Sequence, residues 1–453
     1  MIRRLARWID DRLGSSAFVE ESLNKVFPDH WTFMLGEISL YSFVILLITG
    51  VFLSFFFEPS LGETVYGGSY EPLRGVTVTE AYRSTLDISF DVRAGLVMRQ
   101  IHHWAALIFV AAIVLHLCRV FFTGAFRRPR EINWMIGVTL LILGIFNGFA
   151  GYSLPDDLLS GIGLRIAHSV GLSIPFIGEW LVFLVFGGEF QSDQIIGRLF
   201  VLHVLLIPAA ITALIGAHLA VLWRQKHTQF PGPGRRETNV VGSRLWPTYA
   251  AKSLGLFFAV AAVCAVLGGL VQINPIWLYG PFEPQQVTSP AQPDWYLGWV
   301  EGALRIFPPW EVRAFGYEIP NPFFPGVLLP GITFGLLYLW PFLERRATGD
   351  LDAHHLLDRP RDNPARTALG AATIAFYIVV FVAGSNDLLA KWFEVPIETL
   401  TWITRVIAIV TPPLVGWFVY RLMSALRASN VESLSVMPLS ALRKSRPSTT
   451  GKS

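Results

Sequence analysis

Apolar residues run through this chain in blocks too long for the core elements of a water-soluble fold. Eight stretches are apolar on every face: roughly 33–57, 98–122, 133–153, 198–223, 250–271, 323–343, 367–384 and 400–422. A run of about 18 or more such residues reads as a helix that crosses a bilayer. The stretch 174–187 is apolar but short, and Gly178 and Glu179 interrupt it. With 156–167 it reads as an interfacial helical pair after the third span, within 156–187. Residues 1–32 carry Arg3, Arg4, Arg7, Asp10, Asp11 and Arg12 around Trp8 and Ile9. That mixture suits an amphipathic helix on the membrane surface better than a signal peptide, whose apolar core is uninterrupted. The pattern predicts an all-α membrane protein of eight spans. A four-helix bundle occupies 33–236, a second four-helix region occupies 237–425 with a long loop at 272–322, and a polar tail, 426–453, is expected to be disordered.

The charges supply an orientation. Arg127, Arg128 and Arg130, the stretch Arg224 to Arg236, the stretch Arg345 to Arg366, and Arg443, Lys444 and Arg446 fall in alternate connections, on the same side as the N-terminus. The connections 58–97, 154–197, 272–322 and 385–399 are poorer in Lys and Arg. The basic side is expected in the cytoplasm, with both termini there. Composition agrees: 53% of the 453 residues are hydrophobic and 15% are charged, against about 25% charged in soluble domains. This excludes a disordered chain and argues against a soluble enzyme. Cys118 and Cys264 lie far apart inside apolar segments and read as core residues or free thiols. There is no Cys-x-x-Cys-His run, so no covalent c-type haem is expected.

Five of the ten histidines fall inside spans, and four of them stand at wide intervals, His102 and His116 in the second and His203 and His218 in the fourth; the fifth is His103, next to His102. An ionisable residue within the membrane is a functional candidate, although a lone buried histidine bonded to a carbonyl is as ordinary. The spacings are 14 and 15 residues, close to four helical turns and about 21–23 Å. Each helix thus presents two histidines on roughly one face at two depths. Two such helices facing each other form two histidine pairs, the arrangement for bis-histidine ligation of two b-type haems. Zinc ligands would converge on one point instead. His102 and His203 fall near the outer surface, His116 and His218 near the cytoplasm. His103 faces about 100° away from His102 and reads as a structural residue.

Gly36 and Gly50 in the first span, and Gly137 and Gly151 in the third, repeat the 14-residue interval. A missing side chain at each haem level lets a porphyrin edge approach the backbone; ordinary helix packing is the alternative. Arg99 and Arg119 each stand three residues from a histidine. They suit anionic haem propionates, or else snorkel to the interface.

Arg99-x-x-His102, His116-Leu-Cys-Arg119, the glycine pairs, Gly151-Tyr-Ser-Leu-Pro155 and Pro293-Asp-Trp-Tyr296 together resemble cytochrome b of the cytochrome bc complex, respiratory complex III, over about residues 24–425. Lys226-His-Thr-Gln-Phe-Pro-Gly-Pro-Gly234 and Leu154-Pro-Asp-Asp-Leu158 look like the actinobacterial branch. That branch implies menaquinol as substrate, a bacterial cell membrane and a supercomplex with a haem–copper oxidase. The resemblance implies a proton-translocating quinol–cytochrome c reductase subunit. One electron from quinol goes to a Rieske iron–sulfur subunit. The other crosses the membrane through an outer, low-potential haem (His102, His203) and an inner, high-potential haem (His116, His218) to an inner quinone site. It also implies a cytochrome c subunit, a homodimer, surrounding lipid and no nucleic-acid partner. Asp294, Tyr296 and Gly161 to Ile166 would belong to the outer quinol site, and His227 would lie near the inner one.

This chain departs from the family pattern in three places. Asp294 stands where the familiar tetrapeptide has glutamate. The second histidine interval is 15 where the mitochondrial type has 14. Ser253, beside Lys252, takes the place of an aspartate thought to donate protons at the inner site, and His30, His354 and His355 are on that side. If 294–305 is helical, Glu301 lies two turns from Asp294 on nearly the same face. Asp294 is then expected as the proton acceptor and Glu301 as a second carrier; a helix cap and a solvated carboxylate are the alternatives. His227 is expected to bond a quinone carbonyl and relay a proton, or else to be an interfacial basic residue. Two rival readings remain. A dihaem anchor subunit of a dehydrogenase would have fewer spans and no Pro-Asp-Trp-Tyr loop. A transporter with histidine proton relays would bind no haem.

Overall fold

A helix in hydrocarbon must satisfy its own backbone hydrogen bonds, and this constraint shapes the whole chain. The structure, a computed structural model, describes residues 2–286, 292–314 and 316–435. All eight expected spans are helices: Trp31–Ser54, Gly95–Phe122, Glu131–Tyr152, Ile195–Gln225, Leu245–Leu270, Phe324–Thr348, Pro364–Ala383 and Ile397–Ser429. Large apolar side chains such as Phe55, Leu270 and Trp417 point outward, where lipid rather than water would meet them. The expected interfacial pair is Leu158–Leu172 and Gly178–Phe186. The N-terminal segment is two helices, Ile2–Leu13 and Ser15–Asn24. They break at Gly14, whose φ of 57° is left-handed and suits glycine.

The last helix runs unbroken to Ser435, past residue 425 where the apolar pattern ends. Its Arg, Leu, Met and Ala residues are good helix formers and extend it beyond the membrane. The expectation of a disordered tail therefore fails for 426–435, and the rest of the tail lies outside the described residues.

The first span packs on the second and the third on the fourth. The fifth lies against the first two, the sixth against the third, and the seventh against the eighth. In the first bundle Phe43, Phe109, Val110, Leu140, Leu141 and Ile211 form a buried layer joined by Tyr296 from the long loop. Phe109 lies midway between His102 and His116 and faces both histidine levels.

The basic connections meet on one side of the molecule. Arg130 donates to the carbonyls of His354 (2.7 Å) and Lys226 (3.0 Å). Arg366, 3% exposed, binds Glu344 through Nε (3.0 Å) and Asp358 through Nη1 (2.9 Å), and Arg127 also binds Asp358. The acidic-to-neutral loops meet on the other side, where Thr79 donates to Asp156 and Arg99 to the carbonyl of Asn274.

Arg366→Leu would leave Glu344 buried without its partner. We expect a loss of about 3–5 kcal/mol, read as a lowered thermal midpoint of the assembled protein. Arg313, which pairs with Glu318 at an exposed edge, should cost no more than about 1 kcal/mol when changed to alanine. Equal effects of the two substitutions would contradict this ranking.

Candidate functional site

Four of the membrane histidines face each other in two pairs. The rings of His102 and His203 have centroids 6.0 Å apart, and those of His116 and His218 6.4 Å apart. A metal between two imidazoles, at about 2 Å from each nitrogen, separates ring centres by about 6 Å. The unequal intervals of 14 and 15 are reconciled in the backbone. The fourth span is regular over Ile195–Val201 and Ile207–Gln225, with a π turn at Leu202–Leu206 between them. A π turn uses i→i+5 bonds and so winds more residues into one turn. It takes up the extra residue and brings His203 and His218 level with their partners. Pro208, just beyond, lacks an N–H and leaves the carbonyl four residues back without its α-helical donor.

The glycines sit where the spacing puts them. Gly50 and Gly151 face His102 and His203, and Gly36 and Gly137 face His116 and His218. A Cβ on Gly151 would run into the His203 ring, and one on Gly50 would lie 3.2 Å from His102. The glycines are therefore part of both histidine levels.

The outer pair is oriented by its second nitrogens. His203 donates from Nδ1 to the carbonyl of Asn147 (2.9 Å). Thr49 spends its proton on the carbonyl of Ile45 (2.7 Å) and so accepts from Nδ1 of His102 (2.9 Å). Both bonds leave Nε2 as the nitrogen with a free lone pair, the form that ligates metal.

Each level opens into a cavity, about 240 Å³ at the outer pair and about 420 Å³ at the inner. One water needs only about 10–15 Å³, so these are binding spaces and not packing faults. Arg99 lines the outer cavity and Arg119 the inner one. Nε of Arg99, and Nε and Nη2 of Arg119, are buried without an acceptor. A buried guanidinium with unmet donors fits an anionic ligand group. Paired imidazoles, facing glycines and unmet arginine donors together fit two b-type haems with propionates. Among the described residues no three His, Cys, Asp or Glu side chains converge to hold a bare metal ion.

Asp294 reaches the outer cavity. Its carboxylate accepts from Nε2 of His103 (2.8 and 3.0 Å) and from the hydroxyl of Tyr296 (3.0 Å). Tyr296 is 2% exposed and enters a space that a side chain on Gly148 would fill. Burial and the neighbouring Asp294 push its hydroxyl well above the ordinary tyrosine range. Two expectations change here. The helix begins at Gly298, not at 294, because Pro293 is followed by turn bonds from Leu297 to Asp294 and from Gly298 to Trp295. Asp294 therefore caps no helix, and Glu301 does not share a helical face with it. Glu301 is held by Arg305 (3.0 Å from Nε), which also pairs with Asp387, and it lies outside the cavity lining.

His103, read as structural, is the partner of Asp294; only the folded chain brings together residues 191 apart. Asp157 is the second carboxylate of the outer cavity. It caps Leu158–Leu172 in a reciprocal pair with Ser160, while its Oδ2 is buried without a partner and burial raises its pKa. In the sequence it stood only within the Leu154-Pro-Asp-Asp-Leu158 run. Of the segment Gly161 to Ile166 none lines the outer cavity; Gly161 lies against Phe282.

His227 and Ser253 line the inner cavity; His30, His354 and His355 do not. His227 packs against Phe27 with ring centroids 4.5 Å apart. Burial, with Lys25, Arg130 and Arg119 nearby, pushes its pKa down to about 4. It is neutral at neutral pH, fit to bond a carbonyl oxygen but not to store a proton. Ser253 donates to Glu37 (2.7 Å).

The chain is 55% identical over 431 residues to the cytochrome bc1 complex cytochrome b subunit of Mycobacterium tuberculosis, covering 95% of this chain and 78% of that one. It is 50% identical over 409 residues to the subunit of the same name from Streptomyces coelicolor, covering 90% and 75%. Residues 107–281 match the family described as cytochrome b(N-terminal)/b6/petB. A solved chain titled hyperthermophilic respiratory Complex III shares the fold, with a TM-score of 0.67 at 21% identity over 91% of this chain and 99% of that one.

Asp156, beside Asp157, supplies a pH prediction. Burial raises its pKa from 3.8 to about 6, against hydrogen bonds from Thr79 and Gln191. A raised pKa means that the folded state favours the protonated form, so its stabilisation is full below about pH 4 and lost as pH rises through about 6. Asp156→Asn keeps acceptor oxygen and tolerates the φ of 54°. It should raise the thermal midpoint at neutral pH and flatten its dependence between about pH 4 and 7. Parallel pH curves for the two proteins would remove Asp156 from that role.

Proposed function

The chain belongs to the cytochrome b subunits of the cytochrome bc1 complex, and from that premise we propose that it oxidises menaquinol in the outer cavity and passes one of the two electrons across the membrane to a quinone in the inner cavity. It is a multi-pass membrane component of a quinol–cytochrome c oxidoreductase. The observation that carries the finer reading is the pairing of His102 with His203 and of His116 with His218 at two depths. These four residues would hold two b-type haems, which supply one-electron transfer between the cavities. The other electron goes to a Rieske iron–sulfur subunit and on to a cytochrome c subunit. The chain has no Rieske cysteine motif and no Cys-x-x-Cys-His run, so it depends on both partners.

Oxidising a quinol releases two protons as the electrons leave. Asp294 is the base for the first: it lines the outer cavity, and His103 and Tyr296 fix its carboxylate. Arg99 and Arg119 would receive the haem propionates. His227, neutral in its buried place, would hydrogen-bond a carbonyl of the inner quinone. Protons are released on the outer side and taken up on the inner, which couples the reaction to proton translocation. The menaquinone assignment rests on the 154–158 and 226–234 runs and on the likeness to subunits from Mycobacterium and Streptomyces. Basic connections on one side support a cytoplasmic placement of both termini in a bacterial cell membrane. A homodimer joined to a haem–copper oxidase completes the reading.

Three substitutions test it. His203→Leu should remove the outer haem from the reduced-minus-oxidised spectrum, and His218→Leu the inner one; both signals persisting in either variant would refute the pairing. Asp294→Asn should keep full haem content while quinol oxidation falls by about 10²-fold, as loss of a positioned base does. Near-normal turnover would take the proton-acceptor role from Asp294.

A further inference from the structure

Among the described residues, Asp157 and Asp294 are the carboxylates of the outer cavity, and Glu37 is the sole carboxylate lining the inner one. Glu37 lies in the first turn of the helix Leu35–Ser54, one residue after the glycine that faces His116. Three hydroxyls converge on it. Ser253 donates to Oε2 (2.7 Å), Tyr41 donates to the same oxygen (3.2 Å), and Tyr249 donates to Oε1. The hydroxyls of Tyr41 and Ser253 are also within hydrogen-bond reach of each other, and when one donates to the other only the second donates to Glu37. All four residues line the cavity that holds His227. The cluster joins the first span to the fifth, so it is assembled by the fold and not by local sequence.

We infer that Glu37, and not His227, exchanges the proton with the quinone in the inner cavity, with the hydroxyls of Ser253, Tyr41 and Tyr249 as its relay. The inference rests on the inner-quinone reading above. A quinone that gains two electrons must gain two protons to become a quinol. The electrons would be supplied by a haem held by His116 and His218. The carboxylic acid of Glu37 gives a proton to a quinone oxygen, its O–H bond breaking as the new O–H forms. The carboxylate left behind takes a proton from a neighbouring hydroxyl, which takes its own replacement from solvent, and the cycle runs twice, once for each of the two protons. The residues next to the cluster are exposed. Lys252, adjacent to Ser253, pairs with Asp29 (2.7 Å), and both are exposed. Phe27 stacks on Tyr249 at 4.4 Å and packs on His227, so the donor cluster and the carbonyl-bonding histidine share one wall of the cavity. The acid thus stands on a different helix from Ser253, within hydrogen-bond reach of it.

The test uses the whole complex with its iron–sulfur partner already reduced. The outer oxidation then has no acceptor, and added menaquinol reduces the inner haem only through the inner cavity, passing its protons to the Glu37 carboxylate. If the parent complex shows no such reduction, the inner-quinone reading itself fails. If it does, Glu37→Gln should keep both haem signals and the same dependence on quinol concentration, while inner-haem reduction slows by about 10²-fold or more. Redox-difference infrared spectra should lose a carboxylic C=O band in the same variant. Adding Ser253→Asp to Glu37→Gln, which returns a carboxylate to the cluster, should recover most of the rate. Parental kinetics in Glu37→Gln would overturn the proposal and leave the inner-quinone reading standing. If Glu37→Gln does not assemble, the double variant Ser253→Ala, Tyr249→Phe removes two of the three relay hydroxyls. Slowed reduction supports the proposal, and an unchanged rate overturns it.

Discussion

Everything in this molecule depends on keeping four imidazoles level across two helices in an apolar interior. A buried histidine with an idle lone pair is costly, and here four of them stand in two facing pairs. The second helix is regular through both histidines, whereas the fourth carries an additional residue between them. The π turn at Leu202–Leu206 absorbs that residue, at the turn that holds His203. The helix defect is thus the condition for a common register. The glycines opposite each ring meet the same demand from the other side, since a side chain at Gly151 would occupy the space of the His203 ring.

Between the two levels lies a dry layer of Phe43, Phe109, Leu140 and Ile211. Buried polar atoms without a partner at the outer cavity are Arg99 Nε, Asn147 Oδ1 and Asp157 Oδ2, and at the inner cavity Arg119 Nε and Nη2, Arg130 Nε, Asn133 Oδ1 and the Nδ1 atoms of His116 and His218. Asp294 and Glu37, by contrast, are carboxylates anchored from distant segments. The partners of those carboxylates differ. Asp294 accepts from a histidine and a tyrosine, and Glu37 from three hydroxyls. The two carboxylates thus stand at the two histidine levels of the bundle, one in each cavity. The basic connections close one end of the bundle and the loops around Asp156 and Asn274 close the other.

Much of this was legible before folding. The spans follow from apolar length, and the histidine and glycine intervals give the two levels, because helical geometry turns sequence spacing into position. What spacing does not reveal is contact between residues on different helices. His103 looked idle because its partner lies in a loop 191 residues on. Glu37 drew no reading from the sequence, because Ser253 and Tyr249 reach it from the fifth span. The supposed helix from 294 misled for a local reason. The turn after Pro293 delays the helix to Gly298 and frees the carboxylate of Asp294 for the cavity.

That delay matters for the chemistry. Had the helix begun at residue 294, an aspartate there would have been drawn into capping its first N–H groups. Its carboxylate would then point along the helix axis. The turn instead sends the peptide bonds elsewhere: the Asp294 carbonyl takes the Leu297 N–H, and the side chain is left to His103 and Tyr296. Tyr296 in turn enters the core layer between the cavities because Gly148 leaves room for its ring. The long loop is therefore pinned to the four-helix bundle by one buried aromatic ring, and the carboxylate two residues earlier is carried into the outer cavity with it. The placement of Asp294 depends on packing at Gly148 as much as on its own hydrogen bonds.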